Sequence, residues 1–160
     1  MTFEPISIDV ADEAGMSAPA ARLASAPSSG VIFLRGDLGA GKSTLARAYL
    51  HSRGYLGRVK SPTYTLIESY QLPDGEVHHL DLYRLKDPEE LEFIGIRDLF
   101  QTGAMILIEW PEKGMQVLPE PDLDILIKPR EPGRTLIFQA HTANGQDFIK
   151  ALSGLSNNLD

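Results

Sequence analysis

Apolar residues gather along this chain in short runs separated by glycine- and proline-bearing turns. Val31 to Leu34 is a short, partly β-branched apolar run, which predicts a strand. A glycine-rich loop follows it, and Lys42 to Leu50 then has helical composition. Thr65 to Tyr70 and Val77 to Tyr83 read as strands around Leu72-Pro73-Asp74-Gly75, whose proline and glycine suit a tight antiparallel turn. Asp87-Pro88-Glu89-Glu90 opens a helix: Asp87 can cap it, Pro88 fits its first position, and Glu90 stands where a capping-box carboxylate reaches back to the cap amide. Gly95 is expected to bend or end that helix before Leu99. Met105 to Ile108 is wholly apolar and runs into Glu109, the pattern of a central strand whose end opens into a site. Leu123 to Ile127 and Thr135 to Ala140 flank Glu131-Pro132-Gly133 as a second hairpin, and Asp147 to Leu155 is a short, weakly amphipathic helix candidate.

Helices alternating with strands, plus two hairpins, predict an α/β fold of three layers with a mixed, mainly parallel central sheet. Residues 1–29 read as a lead-in segment, with Ala18 to Ser29 a helix running into a loop; residues 141–160 read as a C-terminal helix and tail. At 160 residues, 42% of them hydrophobic, the chain can build a core of its own, and one domain over 1–160 is expected.

Charge and cysteine content narrow the function classes. The formal net charge is -7 and no stretch clusters basic residues, so strong binding to naked DNA or RNA by this chain alone is not expected. Cysteine is absent and the four histidines are scattered, which excludes a disulfide framework and makes a poor zinc cluster; His78 and His79 have no ligand-like partners nearby in sequence. Asp9, Asp12 and Glu13 interrupt the first residues, and no apolar run approaches the ~18 residues of a membrane span. Neither signal peptide nor membrane anchor is expected, and a cytoplasmic location fits.

The chemistry is carried by Gly36-Asp37-Leu38-Gly39-Ala40-Gly41-Lys42-Ser43, which fits the phosphate-loop pattern G-x-x-x-x-G-K-[ST] between a strand and a helix. Average residue usage would produce the bare pattern in roughly half a percent of chains this long, so the match in its required context outweighs an ordinary glycine turn. Glycines let backbone amides curl around phosphate, Lys42 reaches the terminal phosphates, and the Ser43 hydroxyl ligates magnesium. The α/β prediction becomes a P-loop NTPase fold, with ATP and Mg2+ as its ligands. Nucleotide contacts are expected along Asp37, Leu38, Gly39, Ala40, Gly41, Lys42, Ser43 and Thr44.

Such a loop needs a carboxylate from a neighbouring strand to hold magnesium and a second polar group to orient the attacking water. Glu109 and Asp81, each at the end of an apolar run, are the two candidates, set against plainer readings as capping or solvated acids, with Arg84 a salt-bridge partner for Asp81. Ser61-Pro62-Thr63-Tyr64-Thr65 lies where P-loop proteins place a γ-phosphate-sensing switch, and equally reads as a polar turn fixed by Pro62. Trp110 can stack on a nucleotide or a partner, or serve only packing. No Asn-Lys-x-Asp string occurs, which disfavours GTP. Leu152-Ser153-Gly154 is only a fragment of a transporter signature. A small-molecule kinase stays open, with Arg130 and Arg134 as its only late clamp candidates, as does an ATP-gated scaffold that does not hydrolyse.

Taken together, these motifs resemble the bacterial TsaE family, formerly YjeE, over roughly residues 30 to 140. The resemblance rests on the phosphate loop with Thr44, on Lys60-Ser61-Pro62-Thr63-Tyr64-Thr65-Leu66, on His79-Leu80-Asp81-Leu82-Tyr83-Arg84-Leu85, on Glu89-Glu90-Leu91-Glu92 with Gly95-Ile96, and on Ile108-Glu109-Trp110-Pro111-Glu112. Ser43 stands where the family often has threonine and keeps the hydroxyl. The resemblance implies an ATPase of tRNA threonylcarbamoyladenosine biosynthesis that binds the TsaD and TsaB proteins and meets tRNA only through that complex. By the same resemblance Lys42 and Ser43 serve phosphate and magnesium, Glu109 the magnesium site, and Asp81 is an essential acid near the γ-phosphate. Lys42, Asp81 and Glu109 are then the catalytic set, with Thr63, Trp110 and Arg134 near the nucleotide.

Overall fold

The computed structural model describes residues 3–157. Strands β1 (Ile6–Val10), β2 (Gly30–Arg35), β3 (Ile67–Leu72), β4 (Gly75–Asp81), β5 (Met105–Glu109), β6 (Leu123–Pro129) and β7 (Arg134–Ala140) form one sheet in the order β1-β7-β6-β2-β5-β4-β3. Its centre, β6-β2-β5-β4, is parallel, and β3, β7 and β1 add on antiparallel. The helices are α1 (Ser17–Ala24), α2 (Lys42–Ser52), α3 (Glu89–Phe93), α4 (Ile96–Leu99) and α5 (Ala143–Leu152).

Successive strand residues point to opposite faces of a sheet, and here both faces are covered. Ile32, Leu34, Met105 and Leu107 pack into one core with Leu23 of α1, Leu45 and Tyr49 of α2, and Phe148 of α5. Phe33, Ile106 and Ile108 pack into a second with Leu91 of α3 and Ile96 of α4. The unbroken apolar runs at Val31 and Met105 are thus required by a sheet sandwiched between helices. Each such side chain contributes about 1.5–3 kcal/mol by leaving water, and every residue of β5 is buried; the strand that carries Glu109 is therefore firmly held.

Local chemistry sets the ends of the elements. The Asp87 box forms as expected: Glu89 N–H donates to Asp87 Oδ1 at 3.0 Å and Asp87 N–H donates to Glu90 Oε2 at 3.1 Å. Gly95, with φ of 73°, separates α3 from α4. Both hairpins are present, with shifted bounds. β3 starts at Ile67, not Thr65, because Leu66 N–H closes a turn onto Pro62 O at 2.8 Å. β4 ends at Asp81, not Tyr83, because the Asp81 carboxylate takes the Tyr83 N–H at 2.9 Å and turns the backbone. The last helix begins at Ala143, before Asp147, because Thr142 Oγ1 accepts the Gly145 N–H at 3.1 Å; the expected tail reaches into residues 158–160, outside the described residues.

The lead-in holds more than a helix. Ile6, Ile8 and Val10 alternate with Ser7 and Asp9 and form edge strand β1 against β7, followed by a 3₁₀ turn, Glu13–Met16, and α1. No helix among the described residues is long and apolar enough to cross a membrane.

Candidate functional site

The site lies at the carboxyl ends of the parallel strands. From β2 the chain goes to β4 on one side and only later to β6 on the other, a topological switch point of the kind where open α/β sheets bind ligands. A cavity of about 600 Å³ opens there.

Residues 36–41 form the loop between β2 and α2. Gly39 and Gly41 sit at φ of 78° and 118°, a region that side chains rarely adopt. A Cβ on Gly36 would lie 2.7 Å from Ile127 O, so that glycine also answers to a lack of room. Because α2 starts at Lys42, the unpaired N–H groups and positive end of its first turn lie beside the cleft, a ready anion site. Lys42 is only 5% exposed. Its Nζ donates to Gly36 O and to Asp37 O, the latter at 3.0 Å, and stands 4.2 Å from the Trp110 ring centre. Burial lowers the Lys42 pKa from its ordinary value against the opposing charges of Glu109 and Asp81; an ammonium so poorly hydrated gains more from an anion than an exposed one.

Arg134, first residue of β7, braces the loop from the far side of the sequence. Its Nε donates to Ala40 O at 2.9 Å and its Nη2 to Gly39 O at 3.3 Å. Those two bonds fix the carbonyls of Gly39 and Ala40, while the Ala40 N–H closes the loop onto Asp37 O at 3.0 Å.

Two acids close the other wall. Asp81 and Glu109 pair in register on β4 and β5, and both are buried, at 6% and 2% exposure. Ser43 Oγ donates to Glu109 at 3.2 Å from either carboxylate oxygen, and His79 Nε2 lies 2.6 Å from Glu109 Oε2. Asp81 accepts from Thr63 Oγ1 at 3.3 Å and from Tyr83 N–H. Burial raises the Asp81 pKa from its ordinary value, the Tyr83 N–H bond works against the rise, and the Glu109 charge adds to it.

The structure brings together nearly every residue the sequence pointed to. Leu38, Gly39, Ala40, Gly41, Lys42, Ser43, Thr44, Thr63, Asp81, Glu109, Trp110 and Arg134 line this one cavity. Asp37 does not line it and contributes its carbonyl to Lys42. The two late arginines part company: Arg130 Nε points to Asp9 at 3.6 Å, while Arg134 holds the loop. Arg84 pairs not with Asp81 but with Tyr64, donating to its hydroxyl at 3.2 Å and lying over its ring. Sequence reasoning missed His79, which faces Glu109, and Glu13, whose Oε1 accepts from Thr44 Oγ1 at 2.9 Å. Alternation from Asp81 back to His79 was the available signal, since residues two apart on a strand share a face.

The Ser43 hydroxyl and Glu109 carboxylate are hard oxygen donors that suit magnesium. Among the described residues no group of three or more His, Asp or Glu side chains could hold a metal ion, so a cation at Ser43 and Glu109 would need further ligands, such as phosphate oxygens and water. A cation would bind here together with a nucleotide.

Comparison with known proteins gives concordant matches. A family model described as threonylcarbamoyl adenosine biosynthesis protein TsaE matches residues 10–136. The tRNA threonylcarbamoyladenosine biosynthesis protein TsaE of Haemophilus influenzae is 50% identical over 123 residues, covering 77% of this chain and 78% of that one. The protein of the same name from Rickettsia felis is 33% identical over 134 residues, covering 81% and 78%. A crystal structure of Bacillus subtilis YdiB superposes with a TM-score of 0.78 at 26% identity, over 96% of this chain and 97% of that one.

Proposed function

Because this chain belongs to the TsaE family of threonylcarbamoyl adenosine biosynthesis proteins, we propose that it is a magnesium-dependent ATPase that binds and resets a TsaD-TsaB complex during threonylcarbamoyladenosine modification of tRNA. It works as a single cytoplasmic domain and does not itself transfer the threonylcarbamoyl group. The observation that carries this reading is the convergence of Lys42, Ser43, Asp81 and Glu109 on the one phosphate-loop cavity.

The division of labour follows from position. The loop amides and the α2 terminus bind the phosphates, and Lys42 moves from the Gly36 and Asp37 carbonyls to a phosphate oxygen. Ser43 and Glu109 would hold magnesium, which when bound would screen charge on the phosphate oxygens. Asp81, whose pKa is raised by burial, orients the attacking water and accepts its proton. Thr63, bonded to Asp81 at 3.3 Å, joins residues 61–65 to that acid and gives the segment a means of sensing the γ-phosphate. Trp110 supports Lys42 through its ring face.

Reconstitution of the chain with TsaD, TsaB, tRNA and ATP tests the reading. Multiple-turnover modification should collapse with Lys42→Ala; modification at the wild-type rate would overturn it. Phosphoryl transfer to a metabolite instead would favour a kinase, a reading weakened by the outward turn of Arg130. Unconsumed ATP with normal modification would favour a scaffold that does not hydrolyse.

A further inference from the structure

One buried group at the site has no part in the mechanism above. His79 is 1% exposed, and its Nε2 lies 2.6 Å from Glu109 Oε2, with both side chains almost wholly out of water. An ionised carboxylate only accepts hydrogen bonds, so in this contact Nε2 is the donor, and Nδ1 is the ring nitrogen turned away from Glu109. That Nδ1 is buried and has no hydrogen-bond partner among the described residues. A histidine present for packing alone could be replaced by leucine with no orphaned nitrogen; here the bond to Glu109 offsets that penalty. Lys42 does not share the task, since its Nζ is engaged with Gly36 and Asp37 carbonyls. Ser43, which does bond Glu109, belongs to the cation shell itself and is no fixed anchor. Among the described residues, only His79 grips the carboxylate from outside the shell.

We propose that His79 is a positioning residue that locks the Glu109 carboxylate for the divalent cation and thereby sets cation affinity without touching the nucleotide. This rests on the reading of Ser43 and Glu109 as the magnesium site. Partners of this kind, one bond removed from a metal, change metal affinity by about 10–100-fold when lost.

The test is a titration of the full chain with Mn2+, followed by the paramagnetic resonance of free ion, in the presence of a non-hydrolysable ATP analogue. His79→Leu should weaken Mn2+ binding at least about tenfold while metal-free nucleotide affinity stays within about twofold, and His79→Gln, which restores an amide donor, should recover most of the loss. Wild-type Mn2+ affinity in His79→Leu overturns the inference and leaves the magnesium site standing. Failure of the wild-type chain to bind Mn2+ with nucleotide overturns the magnesium site itself. Should His79→Leu not fold, the imidazole 15N shifts of the wild-type chain decide: a protonated Nε2 whose signal moves on adding Mg2+ and analogue supports the role, and an unprotonated Nε2, or one whose signal does not move, overturns it.

Discussion

Asp81 and Glu109 stand opposite one another in parallel register, each at the last residue of its strand. Two acids in that relationship burden the fold. The folded Asp81 carboxyl keeps its proton to higher pH than the unfolded one, so its ionised form weighs against folding, and stability falls as pH rises from 3.8 through the raised folded value. Asp81→Asn can keep both hydrogen bonds while removing the charge. Thermal unfolding at pH 7 should show the variant about 1 kcal/mol more stable, a rise of roughly 2–4 °C, with the gain vanishing near pH 4. ATP hydrolysis should fall by about 10²-fold or more in the same variant.

Trp110 holds a left-handed backbone, φ 57°, immediately before Pro111, which costs roughly 1–2 kcal/mol for a residue with a Cβ. Its ring packs on Tyr83 at 5.0 Å and on Lys42. Both Trp110→Ala and Trp110→Gly lose those contacts, but only glycine relieves the backbone. Chemical denaturation should therefore find Trp110→Gly more stable than Trp110→Ala by about 1 kcal/mol, the reverse of the usual order; equal stabilities would mean the strain is absent.

Removing the Arg134 brace should loosen phosphate binding and leave the fold. For Arg134→Ala the nucleotide dissociation constant, measured calorimetrically, should rise about tenfold, the equivalent of ~1.4 kcal/mol for lost charged bonds to Ala40 and Gly39 carbonyls. Arg134→Lys should recover only part of this, since an ammonium lacks the fork that spans two carbonyls.

Arg53 supplies the control. Buried at the far end of α2, it donates to Asp74 at 2.6 Å, to Tyr49 Oη at 3.0 Å and to Ser28 O at 3.3 Å. Arg53→Leu strands the buried Tyr49 hydroxyl and should cost about 2–3 kcal/mol in unfolding experiments, while nucleotide affinity stays within about twofold.

Much of this was legible in the sequence because the signals were local. The Asp87 box, the glycine loop and the apolar run into Glu109 each declare themselves within a few residues. What escaped depends on contacts between distant segments. The partner of His79 lies 30 residues on, and nothing beside it in sequence announces a carboxylate. β1 is a short edge strand that gains its identity only from β7. Arg134 lines the cavity, but its bonds to the loop carbonyls are a geometry that requires knowing how the second hairpin folds back.

That fold-back bears on how portable the phosphate site is. A segment holding β2, the loop and α2 would carry the whole recognisable motif, yet not the guanidinium that closes on Ala40 and Gly39 from 94 and 95 residues away. Grafted into another sheet, it would transfer the signature without the brace; a transplant needs the β6–β7 hairpin as well.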